Sequence, residues 1–199
     1  MTNTPRKPQS LVVAFEGRKV ATLATDADVG EAGDCLHAYQ RELDYLIGSL
    51  RRLGVPSSDI EDVLHEVFLV MLKRWDDYDN ERPLRPWLFG IAFRVSASQR
   101  RRGSRELYRD VADAEYTGQA PDEALANNEA RQLLLRALAT VPLERRAVLV
   151  MYEVDEVPIR DIAEQLEIPL FTAYSRLRKA RKELNVALVR LKKGRSHDV

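Results

Sequence analysis

The stretch SDIEDVLHEVFLVMLKRWDDYDNERPLRPWLFGIAFRVSASQRRR, residues 58–102, decides how this chain folds. Its apolar residues recur at three- and four-residue steps, which predicts two helices joined by a polar loop that contains proline. The first helix has an apolar stripe of Ile60, Val63, Leu64, Val67, Phe68, Met71, Leu72 and Trp75. Its other face is acidic and carries Asp59, Glu61, Asp62 and Glu66. Ser58 and Glu61 have the spacing of a capping box, so we expect the helix to begin there.

The second helix of this stretch is basic at its end. We expect Pro86 in its first turn, where the missing N–H of proline would have no helical partner. Its apolar stripe consists of Trp87, Leu88, Ile91, Ala92 and Val95, and its last turn is Arg100, Arg101 and Arg102. An acidic helix, a loop flanked by aromatic residues and a basic helix end therefore lie within 45 residues.

These residues carry a family resemblance. The segments DIEDVLHEVFLVMLKRWDDYD (59–79) and RPLRPWLFGIAFRV (82–95) resemble region two of bacterial sigma factors of the extracytoplasmic-function (ECF) group. That pattern is an acidic-aliphatic helix ending near Trp or Phe, a loop, and a helix of the form Trp-Leu-aromatic-x-Ile-Ala.

Composition limits the class of protein. A hydrophobic content of 45% can support real cores, and Cys35, the single cysteine, excludes an internal disulfide framework and fits a reducing compartment. No apolar run reaches the length of a membrane-spanning helix, and the first residues lack the apolar core of a signal peptide. We therefore expect a soluble cytoplasmic protein.

The charges sum to zero but are segregated along the chain. Residues 94–109 and 176–195 are strongly basic, whereas acidic residues are concentrated between them, at Asp110, Asp113, Glu115, Asp122, Glu123 and Glu129. Basic patches of this kind suit phosphate contacts, although each run also fits an ordinary solvated helix face.

The order of patterns predicts an all-α protein with two small helical domains. Residues 1–33 lack periodicity and are interpreted as a mostly disordered extension with a short apolar run. Residues 34–102 form the first domain, in which a helix capped by Asp34 and ended near Gly54 completes three helices. Residues 103–121 are polar and charged and are interpreted as a flexible linker. Residues 122–193 form the second domain.

The second domain has the pattern of a helix-turn-helix. A short helix over 158–166, a tight turn at 167–169 and a longer helix from Leu170 share an inward stripe of Ile162, Ala163, Leu166, Ala173, Leu177, Ala180 and Leu184. The outward residues of the last helix are Thr172, Tyr174, Ser175, Arg176, Arg178, Lys179, Arg181 and Lys182. The alternative is a helical hairpin whose basic face only provides solubility.

This part of the chain resembles region four of the same family. The matching segments are VPLERR (141–146), RDIAEQL (160–166) and TAYSRLRKARKEL (172–184). Glu167 and Phe171 stand where glycine is common, Ala173 replaces the usual valine, and Tyr174 takes a position that is often lysine. The two blocks leave no room for the additional middle domain of larger sigma factors.

The resemblance implies a sigma factor that binds core RNA polymerase and promoter DNA. Its polymerase-binding residues would be Asp59, Glu61, Asp62 and Glu66. The loop Asp79, Asn80, Glu81, Arg82, Pro83, Leu84 and Arg85 would hold an unstacked base of the minus-ten element, with Tyr78, Trp87 and Phe89 nearby. Arg94, Arg100, Arg101 and Arg102 would bind phosphates. Trp87 also lies on the apolar stripe and can instead be a core residue.

In the second domain the resemblance implies recognition of a duplex minus-thirty-five element. Base-edge contacts would come from Thr172, Tyr174, Ser175, Arg176 and Lys179, and phosphate contacts from Arg178, Arg181 and Lys182. The family also implies an anti-sigma factor as a partner.

Other functions have less support. His65 lies beside Glu66 but lacks a second histidine at metal-ligand spacing, and no phosphate-binding glycine loop or serine-nucleophile motif occurs. We therefore expect no enzyme, cofactor or metal. A helix-turn-helix regulator that acts without polymerase, or a protein that binds structured RNA through its basic patches, are the alternatives.

Overall fold

The computed structural model describes residues 11–15, 18–23, 26–103 and 122–195, and the side chains of residues 34–102 and 128–193. Both halves of the chain are helical, which confirms the predicted all-α class of the two domains. The predicted linker, apart from Gly103, lies outside the described residues. Every helix in the described part of the chain is too short or too polar to cross a bilayer.

Part of the N-terminal extension has regular structure. Strands β1 (Leu11–Phe15) and β2 (Arg18–Leu23) pair in an antiparallel hairpin. Both strands are rich in β-branched or bulky apolar residues and are separated by two residues, a spacing typical of hairpins. The prediction of a mostly disordered extension did not include this pair.

The first domain packs four helices, α1 (Asp26–Arg41), α2 (Leu43–Leu53), α3 (Ile60–Lys73) and α4 (Leu84–Gly103). The helix predicted to begin at Asp34 begins at Asp26 and is broken at Glu42, so it forms both α1 and α2. The core is made by the predicted stripes of α3 and α4 and by Leu46 and Leu50 of α2. Each fully buried side chain of this size contributes roughly 1.5–3 kcal/mol, which is what holds the helices together.

The start of α3 differs from the predicted capping box. Residues 57–59 form a single 3₁₀ turn, Asp59 takes the N-cap position, and no side chain caps the helix there. The Ser58 hydroxyl instead donates a hydrogen bond to Asp59 Oδ1, at 2.7 Å. The acidic side chains of the first turn still lie at the positive end of the helix dipole, which favours them.

The second domain consists of α5 (Asp122–Ala139), α6 (Leu143–Glu153), α7 (Ile159–Gln165) and α8 (Leu170–Arg195). The inward stripe of α7 and α8 is buried as predicted, with Leu184 partly buried at its end. In the turn between them, Glu167 has a φ of 54°, a left-handed conformation that glycine adopts without strain. This explains why glycine is common at that position.

The two domains share a seam. Leu53 of α2 and Phe89 of α4 are fully buried in the core of the second domain. Arg146 of α6 is 1% exposed and donates hydrogen bonds to the carbonyl oxygens of Leu53 (2.7 Å), Ala139 (2.7 Å) and Val141 (2.8 Å). Its guanidinium therefore joins the end of α2 to the end of α5.

Candidate nucleic-acid interface

The acidic face predicted on α3 points away from the domain core. Glu61 and Asp62 are exposed, while Asp59 and Glu66 are half-buried. Glu66 Oε1 lies 3.8 Å from Arg102 Nη1 at the end of α4, so this face and the basic helix end approach each other. An exposed carboxylate surface on a rigid helix can bind a cationic partner surface and steer its approach.

The loop between α3 and α4 is held by its own polar groups. The backbone N–H of Glu81 donates to Asp79 Oδ1 (3.0 Å), and the Tyr78 hydroxyl donates to the Arg82 carbonyl oxygen (2.6 Å). Arg82 Nε lies 3.6 Å from Asp79 Oδ2. These bonds fix the loop while the side chain of Asn80 remains exposed.

An open pocket of about 720 Å³ lies beside this loop. Tyr78, Asn80 and Leu84 form one side, Trp75 and Asp76 another, and Asp34, His37, Ala38 and Arg41 of α1 the third. The rings of Trp75 and Tyr78 stack with centroids 5.5 Å apart. An aromatic wall beside an exposed amide provides both stacking and hydrogen bonding for an unpaired base.

Three residues predicted near a captured base are placed differently. Trp87 is 9% exposed and packs against Tyr78 and Trp75, so it supports the pocket wall as a core residue. Phe89 is fully buried in the seam between the domains. Arg85 turns away from the loop, because its Nε donates to Glu42 Oε2 at 2.8 Å and its guanidinium lies over the Tyr45 ring.

The basic residues predicted to grip phosphates do not form one patch. Arg101 and Arg102 are exposed at the end of α4. Arg100 Nη2 donates to the Leu53 and Gly54 carbonyl oxygens, at 3.4 and 3.3 Å. Arg94 Nη1 donates to the Gln165 carbonyl oxygen (2.9 Å), and burial lowers the pKa of this guanidinium.

The loop arginine also reaches the second domain. Arg82 Nη1 lies 2.5 Å from Glu164 Oε1, and this hydrogen bond raises the pKa of Arg82. Arg94 Nη1 likewise lies 3.3 Å from Glu167 Oε1. Two of the cations predicted for promoter DNA thus face acceptors at the end of α7.

The recognition helix α8 presents its predicted residues over two flanks. Thr172, Ser175, Arg176 and Lys179 lie together on one flank, where they line a pocket of about 420 Å³. Tyr174, Arg178, Arg181 and Lys182 are exposed elsewhere on the helix. Arg181 Nε donates to Glu153 Oε1 at 2.6 Å and its guanidinium lies over the Tyr152 ring, so this residue is directed toward α6.

The sequence analysis missed four further residues of this pocket, which are Pro142, Glu144, Arg145 and Phe171. Glu144 and Arg145 come from the first turn of α6, and Phe171 precedes Thr172 on α8. Arg145 Nε lies 3.0 Å from Glu183 Oε2 of α8. For Phe171 the signal was present, since the residue lies on the outward side of α8, four positions before Ser175.

The potential metal ligands and the thiol of the described side chains are placed as follows. No three His, Cys, Asp or Glu residues of that part of the chain come together as metal ligands would. Cys35 is buried, and its burial raises the pKa of the thiol to about 11, which suppresses the reactive thiolate.

Comparison with known proteins identifies the same two blocks. The family model described as sigma-70 region 2 matches residues 38–106, and the model described as sigma-70, region 4 matches residues 131–184. Together these matches span more than half of the chain.

Curated relatives are sigma factors. The ECF RNA polymerase sigma-E factor of Escherichia coli strain K12 is 26% identical over 150 residues, which cover 70% of this chain and 78% of the relative. The RNA polymerase sigma factor NccH of Alcaligenes xylosoxydans xylosoxydans is 28% identical over 156 residues, covering 75% and 83%.

Solved structures share the fold. The sigma factor RpoE from Bartonella quintana, determined in complex with the anti-sigma factor NepR, has a TM-score of 0.57 at 20% identity and covers 76% of this chain and 96% of its own. CnrH, in complex with the cytosolic domain of CnrY, has a TM-score of 0.52 at 24% identity, with 82% and 97% covered. With both regions matched in order along one chain, this protein belongs to the sigma-70 family, as a sigma factor of the ECF group.

Proposed function

We propose that this chain is a dissociable specificity subunit of bacterial RNA polymerase that directs transcription initiation in the cytoplasm. The observation that carries the proposal is the presence, in one chain, of a region-two domain with an exposed acidic helix and a region-four helix-turn-helix with a basic outward helix. Catalysis of RNA synthesis would reside in the polymerase, and this chain would contribute binding alone.

The acidic face of α3 would bind core polymerase. Asp59, Glu61, Asp62 and Glu66 have carboxylates directed away from a fully apolar inner face, so the helix can bind a partner without losing its own core. The natural partner of such a surface is a cationic helical element, as the family resemblance implies for the clamp of the polymerase. An anti-sigma factor would compete for the same surfaces, and the structural relative RpoE was determined in complex with the anti-sigma factor NepR.

The two domains would recognise different forms of DNA. The pocket beside Tyr78 and Asn80 suits an unstacked base of the minus-ten element, since unstacking costs a few kcal/mol that stacking and hydrogen bonding can return. The flank of α8 with Thr172, Ser175 and Arg176 suits the major groove of a minus-thirty-five duplex, in which phosphate contacts position the helix and base-edge contacts specify sequence.

The test is polymerase dependence. The purified chain is mixed with core polymerase, and the complex is assayed by gel filtration and by binding to a library of promoter fragments. We expect a stable complex and sequence-specific binding only when both components are present. Specific duplex binding by the chain alone would instead indicate a polymerase-independent regulator.

A matched pair of variants tests the acidic face. The double reversal Asp62→Lys with Glu66→Lys should weaken the complex with core polymerase, whereas Glu156→Lys with Asp161→Lys, an equal charge change at exposed sites of the second domain, should not. Circular dichroism checks that both variants are folded. Equal polymerase affinity of the two folded variants would contradict the role assigned to α3.

A further inference from the structure

Phe171 is the most exposed large apolar side chain of those the structure describes, at 83%. It lies in the first turn of α8, next to Leu170 and one turn before Ser175. A single exposed apolar side chain is common on protein surfaces, so exposure alone has no functional meaning. The surroundings of this ring are what distinguish it.

Apart from Pro142, the residues that line the pocket with Phe171 are polar, and three of them are cations. Thr172 and Ser175 contribute hydroxyl groups, and Arg176 and Lys179 contribute positive charge on the same flank of α8. Across the pocket, Arg145 adds a third cation and Glu144 is the one acid in the lining. Arg145 already lies 3.0 Å from Glu183 Oε2, but an apolar protein segment would cover Arg176 and Lys179 without offering them an acceptor. A nucleic-acid duplex offers phosphates to these cations and base edges to the hydroxyl groups.

The chemistry of the major groove assigns a specific partner to the ring. A recognition helix contacts base edges with the residues near its N-terminus, and Phe171 occupies that end of α8. Among the groups that base pairs present in the major groove, the C5-methyl of thymine is the apolar one. We propose that Phe171 is a specificity-determining residue that contacts the methyl group of a thymine in the upstream duplex.

This inference rests on the proposed function and makes it more specific. In the family that this chain resembles, glycine is common at this position, and glycine has no side chain with which to contact the methyl group. The thymine preference would therefore be a property of this chain. Arg176 and Lys179 would hold the duplex in place, and the ring would discriminate thymine from cytosine by its methyl group rather than by a hydrogen bond.

The experiment removes the methyl group without changing base pairing. The holoenzyme formed with core polymerase first selects its upstream duplex from a random pool, and each thymine of the selected site is then replaced by deoxyuridine. For one thymine we expect binding to weaken about fourfold, the effect of one buried methyl-sized group. In Phe171→Ala holoenzyme, the same replacement should have no effect at that position, while any effect at other thymines persists.

Two controls accompany the variant. Val189→Ala removes an exposed apolar side chain at the far end of the same helix and should leave the deoxyuridine effect unchanged. Because Phe171 is so exposed, Phe171→Ala should unfold at the same temperature as the wild type. Its affinity for core polymerase should also be unchanged.

Three results would overturn the assignment. In the first, no deoxyuridine replacement weakens binding to the selected site. In the second, the Phe171→Ala holoenzyme responds to deoxyuridine as strongly as the wild type. In the third, Phe171→Ala loses affinity for core polymerase, which would identify Phe171 as a protein contact. Failure of the proposed function gives a different result, because a holoenzyme that selects no duplex sequence would refute both the function and the inference.

Discussion

Gly54 gives a direct test of how the two domains meet. It ends α2 with a φ of 79°, and its N–H donates to the Arg51 carbonyl oxygen at 3.0 Å. A Cβ at this position would lie 2.2 Å from Arg146 Nη1 of the second domain. Gly54→Ala therefore has two penalties, a left-handed backbone that disfavours alanine and the displacement of a buried guanidinium.

The expected loss follows from these contacts. The left-handed conformation costs about 1–2 kcal/mol for a residue with a Cβ, and the lost charged hydrogen bond to the Leu53 carbonyl oxygen costs about 1.5–3 kcal/mol. Lower entropy of the unfolded chain returns about 0.4–1 kcal/mol. We expect Gly54→Ala to lower the free energy of unfolding by about 2–4 kcal/mol.

A second background separates the two penalties. In Arg146→Met the guanidinium is absent, so Gly54→Ala should cost only the backbone part, about 1 kcal/mol. Gly48→Ala is the matched control, since a Cβ there meets only the flexible end of Arg52 at 3.4 Å. Inside a helix this change should stabilise by up to about 1 kcal/mol.

Urea unfolding followed by tryptophan fluorescence provides the measurement. Trp75 and Trp87, the only tryptophans of the chain, both lie in the first domain, so their signal reports that domain. If the two domains are docked, Arg146→Met in the second domain should lower the urea midpoint reported by these tryptophans in the first domain. An unchanged midpoint, together with an equal cost of Gly54→Ala in both backgrounds, would refute the seam.

Four further predictions concern other parts of the chain. Glu167→Gly should raise the unfolding temperature by relieving a left-handed φ worth about 1 kcal/mol, and a lower temperature would mean that the exposed carboxylate contributes more than the strain costs. Burial raises the pKa of Asp155 in the folded protein. The protonated carboxyl therefore stabilises the fold below the ordinary carboxyl pKa, and this stabilisation is lost as pH rises through the raised pKa. Between these two pKa values, urea titrations should show Asp155→Asn gaining stability relative to the wild type. Arg176→Ala should weaken upstream duplex binding in filter assays and reduce the salt slope of that binding by about one unit if a phosphate contact is lost. Asn80→Ala should instead impair promoter opening, measured by permanganate reactivity. The reverse pattern would contradict the division of DNA recognition between the domains. Limited proteolysis should cut within residues 103–121 first, and cleavage only inside the helices would argue against a linker there.

The sequence predicted most helices well because the spacing of apolar residues along a helix depends only on neighbouring residues. The stripes of α3, α7 and α8 arise from a 3.6-residue period, and that period is the same before and after the helices pack. The break at Glu42 has no such signal. The apolar stripe continues from Tyr39 through Leu43 to Leu46, so the sequence predicts a single helix where the structure has two.

Helix α4 has a second apolar side that the sequence analysis did not identify. Phe89, Phe93 and Ala97 recur at four-residue steps on a second side of this helix, and they pack against the core of the other domain. A helix with two apolar sides must be buried on both, which is the signal for the seam. The family resemblance instead implied that Phe89 is an aromatic neighbour of the captured base, whereas in the docked arrangement of this structure it is fully buried in the seam.

The proposed promoter contacts and the docked arrangement would compete for the same cations. Arg94 binds the carbonyl oxygen at the end of α7, and Arg82 binds Glu164 of that helix. The close approach extends to the backbone, because a Cβ at Gly90 would lie 3.0 Å from the Gln165 carbonyl oxygen. A phosphate that bound Arg94 through Nη1 would therefore compete with the Gln165 carbonyl oxygen for this guanidinium.

The energy of that displacement lies mainly in the apolar seam. The Arg82–Glu164 pair is about half exposed on each side, so solvent and salt screen it and it contributes little. Leu53 and Phe89 are fully buried, and exposing them costs about 1.5–3 kcal/mol each. Surface charge alone cannot offset that cost at physiological salt, where exposed pairs are screened. For the proposed minus-ten contacts to form with the domains apart, the binding of α3 to polymerase and of the second domain to duplex DNA would have to supply the free energy that separates them.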